Sequence, residues 1–421
     1  MYCGSCLHDN QLARAIIARG HQCLLQPLYT PIRTDGVSAA TQRVFFGGIH
    51  IYLLDQLPGF VRVPRVIRKL FSPLRWLLNY PPLVRWITRR FRSTDAESLG
   101  HLTVSMLKGR DGPTRDEVDR LLDFVASEDP DAVVLSNLLI GGFLPDLKRR
   151  CPSARLAVLL QGDDLFLDHL SQTYQRQVIE LMSQKVQSAD RWITHSNYYA
   201  DYMAERLNLD ADRFDITPLS IDCEPFQTST PTTRPDQCRL VYMARLAPEK
   251  GYDLMVDAFI RLAAVRPTLH LDVAGYRDPG KHRYLSEQIE KIARAGLDDR
   301  FIDHGEVTLR AKSTLLGQGD VMCVPARYRD PKGLFILESL AAGTAVVAPD
   351  HGALGDLVRQ TGGGLTFTPE SNEDLDRQLL RLIDDADLRH RLSTTGRQHV
   401  QHHHDIDAGA DRLVALLSSQ R

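Results

Sequence analysis

The fold is decided by a stretch that reads Tyr328-Arg-Asp-Pro-Lys-Gly-Leu-Phe-Ile-Leu-Glu338 and continues as Ser-Leu-Ala-Ala-Gly-Thr-Ala-Val-Val-Ala348. An apolar run at 320–325 predicts a strand before it, and the helical spacing of apolar residues after Gly333 predicts a helix. Two acids, Asp330 and Glu338, therefore lie on the loop above a strand end and on the first turns of the next helix. In an open α/β sheet this is the edge where ligands bind.

The helix after this loop offers an anion site, because the amides of its first turn point outward with no partner inside the helix. We expect the amides of Gly333, Leu334 and Phe335 to bind phosphate. With an acid on either side of that phosphate, the arrangement suits a ligand with phosphate in the middle, sugar hydroxyls at one end and ribose hydroxyls at the other.

Strands and helices alternate on both sides of this stretch, which predicts an α/β protein with two Rossmann-like domains and mostly parallel sheets. The chain has 421 residues, enough for two such domains. A polar segment with two prolines at 227–237 predicts a linker. We expect an N-terminal domain over residues 1–222, a C-terminal domain over 223–400, and a last helix at 401–421 that can pack back on the first domain.

The chain opens on Met1-Tyr-Cys-Gly-Ser-Cys6, which is typical of the turn after a first strand rather than of the strand itself. Either that strand is missing through a late start or a truncation, or the fold begins here. Cys3 and Cys6 could be redox-active or half of a metal site, but no second pair completes such a site. The other cysteines are scattered, which fits a reducing, cytoplasmic compartment.

Composition narrows the functional classes. The net charge is −2, which gives no indication of a nucleic-acid partner. Hydrophobic residues make up 43% and charged residues 25% of the chain, as in an ordinary globular protein, and we find no signal peptide or run of transmembrane length. No Gly-x-Gly-x-x-Gly follows a predicted strand, which disfavours a dinucleotide dehydrogenase.

One segment, 56–94, contains no Asp or Glu and is interleaved with aromatic residues, and Pro81-Pro82 divides it into two predicted short helices. A basic, aromatic, amphipathic pair is typical of a contact with an anionic membrane surface. A helical insertion packed on its own domain, with a solvated basic face, explains the pattern equally well. The basic residues are Arg62, Arg65, Arg68, Lys69, Arg75, Arg85, Arg89, Arg90 and Arg92.

Three motifs resemble those of a known enzyme family, in the same order. They are Ala244-Arg-Leu-Ala-Pro-Glu-Lys-Gly251, Asp330-x7-Glu338 and His351-Gly-x-x-Gly-Asp356. Together they resemble the donor-binding domain of a family 4 glycosyltransferase. Weaker matches in the first half extend the resemblance to nearly the whole chain except 56–94. The resemblance implies the GT-B fold, with two Rossmann-like domains facing a cleft, and sugar transfer from a nucleoside-diphosphate sugar with retention of configuration.

The sequence departs from the family pattern at several positions. The first acid is Asp330 in place of Glu, which shortens its reach by one methylene. Pro331-Lys332 replaces the usual Phe before Gly333, and Ala244 replaces a Gly. The strand end that carries a His in many relatives reads Gln161-Gly-Asp-Asp164, so the resemblance does not identify an acceptor-side catalytic group.

For the donor, the resemblance implies a role for each matched residue. Arg245 and Lys250 would hold the diphosphate and neutralise the charge of the leaving group, which removes the need for a metal. Glu338 would accept hydrogen bonds from ribose hydroxyls. Asp330 would contact donor-sugar hydroxyls and stabilise an oxocarbenium-like transition state.

For the acceptor, we expect Asp163 and Asp164 to orient or polarise the reacting hydroxyl. A pair of helix N-caps explains these two residues equally well. Gly4 and Ser5 would either let the backbone approach the diphosphate or form a tight turn. We interpret the histidines at 399 and 402–404 as a solvated face. Further candidates for the acceptor side are Gln161, Asn137, Ser196, His195 and Asn10.

We therefore interpret the chain as a nucleotide-sugar-dependent glycosyltransferase with no cofactor and no metal, acting on a glycan or lipid acceptor. One rival is a phosphorylase or nucleotide-sugar epimerase of the same fold. Another is a non-catalytic sugar- or lipid-binding relative, which Asp330 and the missing first strand favour. We expect a cytoplasmic protein, with membrane association through 56–94 as one alternative, and no nucleic-acid partner. The sequence does not identify the base, the sugar or the acceptor.

Overall fold

A computed structural model describes residues 4–28, 38–41, 44–46, 96–227 and 237–419. Cys3, the basic segment 56–94 and most of the linker lie outside the described residues, so the expectations for them stay predictions. The chain divides into two compact units. The main segment of the first unit is Ser38–Thr217, and that of the second is Pro218–Arg412.

The first unit is built on a parallel sheet whose four strands follow one another in chain order. Its strands are β1 (Ala132–Leu135), β2 (Arg155–Leu159), β3 (Arg191–Thr194) and β4 (Phe214–Ile216). Its helices are α1 (Gly4–Ala18), α2 (Ala96–Leu107), α3 (Arg115–Glu128), α4 (Leu144–Arg150), α5 (Asp164–Leu167), α6 (Gln172–Val186) and α7 (Asn197–Leu207). Strands β2 and β3 are almost entirely buried, as expected for parallel strands covered by helices on both faces.

The second unit contains a six-stranded parallel sheet. Its strands are β5 (Cys238–Met243), β6 (Leu269–Ala274), β7 (Phe301–Asp303), β8 (Val321–Cys323), β9 (Ala345–Pro349) and β10 (Gly364–Phe367). Its helices are α8 (Glu224–Gln227), α9 (Tyr252–Val265), α10 (His282–Arg294), α11 (Leu309–Gly317), α12 (Leu334–Ala342), α13 (Gly352–Thr361), α14 (Asn372–Asp384) and α15 (Ala386–His403). The last helix, α16 (Ile406–Ser418), starts in this unit, and its residues from Leu413 onward group with the first unit. Two parallel sheets confirm the predicted α/β class.

The strand order of the second sheet is β10-β9-β8-β5-β6-β7, so the chain reverses its direction of travel between β5 and β8. Leu240 on β5 pairs with Val321 on β8. At such a switch point the loops after the two central strands diverge and leave a crevice at their carboxyl ends. The loop at 244–251 follows β5, and the loop at 324–333 follows β8. The fold therefore brings the two best sequence motifs to one place.

Helix α12 is almost wholly apolar, and Glu338 is its only charged residue. Most of its side chains are buried, because a helix that is apolar on all sides is stable only inside a core. A carboxylate on such a helix needs a partner nearby. Among the described residues, no helix is long and apolar enough to cross a membrane.

Candidate functional site

The loop after β5 is held in place by a buried tyrosine and a glycine. The Tyr242 hydroxyl on β5 donates to the carbonyl oxygen of Arg245 at 3.0 Å and lies 3.3 Å from that of Lys250. Gly251 closes the loop with φ 67°, and a Cβ there would lie 1.9 Å from the carbonyl oxygen of Pro325, just beyond β8. Only glycine fits a position of this kind. The loop therefore lies directly against the segment that leads to Asp330.

Lys250 is enclosed by the loop after β8. Its Nζ lies 2.8 Å from Asp330 Oδ2, 4.6 Å from the ring centre of Tyr328 and 5.9 Å from that of Phe335. Only 15% of the lysine side chain and 9% of the aspartate side chain are exposed. The aromatic faces attract the ammonium group in addition to the carboxylate. The cation therefore has a defined position before any ligand binds.

Asp330 accepts two hydrogen bonds on each carboxylate oxygen. Oδ2 accepts from Lys250 Nζ and from the Tyr328 hydroxyl, both at 2.8 Å, and Oδ1 accepts from the amides of Lys332 at 2.9 Å and Gly333 at 3.0 Å. Burial would raise the pKa of this carboxyl, but Lys250 and the hydrogen bonds from Lys332 and Tyr328 outweigh burial and hold the pKa well below its usual value. The contact with donor-sugar hydroxyls stays a prediction. What the geometry adds is that Asp330 positions Lys250.

Tyr328 was not singled out by the sequence, although it precedes Asp330 by two residues. Burial raises the pKa of its hydroxyl far above the usual value, and the charge of Asp330 raises it further. The hydroxyl therefore stays protonated and remains a donor. An aromatic residue before an acid has no distinctive pattern, so only the folded loop reveals that Tyr328 contacts both members of the ion pair.

Helix α12 begins at a glycine in the left-handed conformation. Gly333 is its N-cap with φ 76°, and the amide of Gly333 already donates to Asp330. Of the three amides expected to bind phosphate, those of Leu334 and Phe335 lie in the first turn, where a helix supplies no internal acceptor. Gly4 is the first residue of α1, and its expected approach to the diphosphate stays a prediction. The positive end of α12 and Lys250 thus share one loop.

Glu338 is paired with a lysine from the neighbouring helix. Its Oε1 accepts from Lys312 Nζ on α11 at 2.6 Å, with 20% of the glutamate side chain and 17% of the lysine side chain exposed. The ribose contact expected for Glu338 stays a prediction. Lys312 belongs to none of the sequence motifs, and its contact depends on how α11 packs against α12.

Arg245 is more exposed than Lys250, with 47% of its side chain accessible, and its Nη2 lies 3.1 Å from Glu249 Oε1. Glu249 also pairs with Lys281 at 3.0 Å. Burial would raise the pKa of the Glu249 carboxyl, but hydrogen bonds from its own backbone and from Lys281, together with the charge of Arg245, hold the pKa below its usual value. Arg245 can therefore turn toward an anion without leaving Glu249 unpaired.

In the first unit, polar residues after β2 are tied to neighbouring segments. Gln161 Nε2 donates to Asp9 Oδ1 at 3.0 Å and lies 3.4 Å from the carbonyl oxygen of Ser136. The buried Asp163 accepts from the amide of Leu138 at 2.8 Å through Oδ2. Asp163 occupies the N-cap position of α5, as the alternative interpretation expects, but its side chain makes no capping hydrogen bond there. Its catalytic role stays a prediction.

Asp164 and Tyr199 form a second buried pair. The Tyr199 hydroxyl donates to Asp164 Oδ1 at 2.6 Å and accepts from the amide of Gly162 at 2.9 Å. Burial raises the pKa of Asp164 above its usual value. Burial, together with the charges of Asp163 and Asp164, raises the pKa of Tyr199. The pair fixes the turn after β2, and the acceptor contact expected for Asp164 stays a prediction.

Other predicted ligand-binding residues of the first unit lie at helix N-termini. Asn137 Oδ1 accepts from the amide of Leu139 at 2.9 Å, and Ser196 Oγ accepts from the amide of Tyr199 at 3.2 Å. Both are N-caps, a role for which their residue types are favoured. Ser5 lies in the first turn of α1. Their expected ligand contacts stay predictions.

Two histidines meet near the carboxyl ends of these strands. The rings of His8 and His195 are 5.1 Å apart, edge to face, and His195 Nδ1 lies 2.9 Å from the carbonyl oxygen of Thr217. Burial would raise the pKa of Asp9, but the interaction with His8 and the hydrogen bonds with Ser136 and Gln161 together lower that pKa below its usual value. His8 was not among the residues predicted from the sequence to be functional. Its spacing of four residues from the buried Leu12 could have placed it on the inward face of α1.

The interpretation of a solvated histidine face is wrong for His404. This residue is buried, and its Nδ1 lies 2.6 Å from the carbonyl oxygen of Leu219. The ring of His399 lies 4.5 Å from that of His403 and 5.5 Å from that of His404. Burial lowers the pKa of His404 to about 4. In the part of the chain that the structure describes, no group of three or more His, Cys, Asp or Glu residues is arranged to hold a metal ion.

Comparison with known proteins finds a family model that matches part of the second unit. Residues 227–399 match the family model described as "Glycosyl transferases group 1". The chain is 30% identical over 227 residues to a glycogen synthase of Mycobacterium tuberculosis, covering 53% of this chain and 52% of that protein. It is 29% identical over 181 residues to a mannosylfructose-phosphate synthase of Agrobacterium fabrum, covering 42% and 40%. The chain thus spans about half the length of the curated relatives it matches, or less.

Solved structures match more of the chain. HepE of Anabaena, solved in complex with UDP, superposes with a TM-score of 0.65 at 17% identity over 94% of this chain and 99% of that one. Sucrose-phosphate synthase of Thermosynechococcus elongatus superposes with a TM-score of 0.60 at 21% identity over 72% and 77%. At such identities the likeness shows the fold alone, and the expected pair of Rossmann-like domains of GT-B type is confirmed.

Proposed function

Because residues 227–399 match the model of the glycosyl transferases group 1 family, we propose that the chain moves a sugar from a nucleoside-diphosphate sugar to an acceptor hydroxyl. The observation that carries this proposal is the fixed position of Lys250 at the switch point of the second sheet, beside the first turn of α12. Donors for phosphate and an acceptor for sugar hydroxyls, Glu338, follow each other along one loop and helix.

In the proposed reaction the bond between the anomeric carbon and the phosphate oxygen breaks, and negative charge grows on the departing diphosphate. The Lys250 ammonium and the amides of Leu334 and Phe335 would stabilise that charge. Arg245 would join them by turning away from Glu249, which keeps Lys281 as its partner. Since these groups supply the positive charge, we propose that the reaction needs no metal. Turnover that survives chelation by EDTA would support this.

Asp330 would act on the reaction through Lys250, because its oxygens already accept four hydrogen bonds from the protein. A contact with the donor sugar would require one of these donors to be displaced. We propose retention of the anomeric configuration on the family resemblance. The coupling constant of the anomeric proton in the product, measured by NMR, distinguishes retention from inversion.

A two-stage experiment tests the activity. The purified chain is first heated with UDP-, GDP- and ADP-sugars, and binding to the folded state should raise the melting temperature for the correct donor. The stabilising donor is then incubated with glycan and lipid acceptors, and sugar transfer is followed by mass spectrometry. If no nucleotide sugar stabilises the chain, the proposal is wrong.

A second candidate is a binding protein that holds a nucleotide sugar without transferring it. The full occupancy of Asp330 by protein donors favours it, because a carboxylate held in this way gives no direct help to a developing positive charge on the sugar. This alternative predicts tight nucleotide binding with no product from any acceptor and no hydrolysis of the donor.

A further inference from the structure

Glu338 makes one side-chain hydrogen bond within the described part of the chain. Lys312 Nζ contacts Oε1 at 2.6 Å, and Oε2 is held by no other described residue. About four-fifths of both side chains is buried, with 17% of Lys312 and 20% of Glu338 exposed. The carboxylate is therefore anchored through one oxygen while the second oxygen remains able to accept.

The helix that carries Lys312 is itself fixed. Thr308 caps α11 by accepting from the amide of Ala311 at 3.3 Å, and the Ser313 hydroxyl donates to the carbonyl oxygen of Pro225 at 2.5 Å. Lys312 lies between these two anchors in sequence. A long lysine side chain normally loses rotamer freedom when it is ordered, and a short, anchored helix together with burial makes this contact well defined.

The charge of Lys312 has a second effect. Glu338 stands one turn beyond the α12 amides at which a diphosphate would bind, so an uncompensated carboxylate there would repel the ligand. An ion pair in which both groups are largely buried interacts more strongly than a solvated pair. Lys312 therefore cancels the charge of Glu338 without removing its remaining acceptor.

We propose that Lys312 is a positioning residue that aligns Glu338, so that Oε2 accepts a hydrogen bond from a ribose hydroxyl of the nucleotide. The inference rests on the proposed function and deepens it. In this view the Lys312–Glu338 pair lets the site distinguish a ribonucleotide from a nucleotide that lacks the ribose hydroxyls. A site built to hydrogen-bond a hydroxyl rejects a ligand without it, since the site's own polar group is then left unpaired.

Calorimetry with UDP, GDP, ADP and their 2′,3′-dideoxy counterparts tests this. We expect the wild-type chain to bind one ribonucleoside diphosphate roughly tenfold to a hundredfold more tightly than its dideoxy form, the range for a hydrogen bond to a charged group. K312M should lose most of that preference, and K312R should recover part of it. K291M is the matched control, because Lys291 pairs with Asp257 at 2.7 Å on an exposed part of the same unit. The preference of K291M for the ribonucleoside diphosphate over its dideoxy form should equal that of the wild type.

The outcomes separate the inference from the proposed function. If the wild-type chain binds none of the three diphosphates, the proposed function and the inference fail together. If the chain binds one of them and K312M keeps the full preference, or if the wild type shows no preference, the inference alone is wrong. E338Q keeps the side-chain volume and should also reduce the preference, so it gives the same readout should K312M fail to fold.

Discussion

Asp330 connects Lys250, Tyr328 and the first amides of α12 through its four hydrogen bonds. We expect Asp330→Asn to lower the free energy of unfolding by about 3 kcal/mol in urea denaturation, because removing one member of a buried ion pair leaves the other without compensation. Asp257→Asn breaks the exposed pair with Lys291 and should cost less than about 1 kcal/mol. Equal losses for the two variants would show that the Asp330 pair does not hold the site together.

Tyr328 contributes a hydroxyl and a ring to the same pair. Tyr328→Phe removes the hydrogen bond to Asp330 but keeps the ring beneath Lys250, so we expect nucleoside-diphosphate affinity to fall about fivefold, equivalent to roughly 1 kcal/mol. Tyr328→Leu removes both contacts and should weaken binding further. Calorimetric titrations of the two variants give the comparison. Affinity in Tyr328→Phe equal to the wild type would mean that the hydroxyl plays no part.

The sequence predicts which residues lie together at the site, but it does not predict their hydrogen-bond partners. The spacing of Asp330 and Glu338 and the loop with Arg245 and Lys250 placed all four at the switch point. The partners of these residues were not predictable, because Lys250 and Asp330 are eighty positions apart and Lys312 lies on a helix with no motif. The Gly333 amide, expected to bind phosphate, donates to Asp330 instead.

The junction between α15 and α16 should make stability depend on pH. His404 is the C-cap of α15. Burial and, less strongly, the charges of His399, Arg412 and His403 outweigh its hydrogen bond with Leu219 and lower its pKa to about 4. Its pKa in the unfolded chain is about 6.5. Because the folded pKa is the lower one, the unfolded chain binds the proton more readily, and stability falls as pH drops from about 6.5 toward 4.

His404→Asn tests this dependence, since an amide can still donate to the carbonyl oxygen of Leu219. We expect the wild-type chain to lose up to about 3 kcal/mol of unfolding free energy across that interval, and the variant to lose less. His402→Asn changes an exposed histidine and should leave the dependence as it is. A wild-type profile that is flat between pH 6.5 and 4 would contradict the account of His404.

Strands and helices with a strong apolar pattern were predictable from the sequence, whereas the strand that opens on a glycine, β10, was not. Strands β8 and β9 and helix α12 followed from runs of apolar residues. Strand β10 did not, because it opens on Gly364, where a Cβ would lie 2.2 Å from the carbonyl oxygen of Val346. Glycine has a low strand propensity, so the sequence pattern does not indicate a strand here, yet the close approach to β9 requires glycine at this position. Strand order is also beyond a local pattern, since β5 pairs with β8 across the sheet.

For the whole molecule, the alternation of strands and helices was sufficient to predict two Rossmann-like domains, since each parallel strand needs a covering crossover. The family resemblance predicted the arrangement that solved structures of similar fold confirm. The acceptor side was not predictable to the same degree. Gln161, Asp163 and Asp164 are engaged by their own unit, and the sequence does not identify which residue would act on an acceptor.

The segment 56–94 carries a prediction for the intact chain. We propose a cytoplasmic protein that contacts anionic membranes through this segment. The full chain should bind vesicles containing phosphatidylserine in a sedimentation assay, and binding should weaken with salt because charge drives it. Replacement of Arg89, Arg90 and Arg92 by Gln should reduce binding, while vesicles of neutral lipid serve as the control. No binding to anionic vesicles would leave the packed insertion as the explanation.

Lys250 is the cation that we propose holds the donor's diphosphate. The most direct test of this role is calorimetric titration of the wild-type chain and Lys250→Met with the nucleoside diphosphate that stabilises the wild type, with Lys291→Met as the matched control. We expect Lys250→Met to lose at least a hundredfold in affinity, since the charge-assisted contact with the diphosphate disappears, and Lys291→Met to bind as the wild type does. Undiminished binding by a folded Lys250→Met variant would contradict this role.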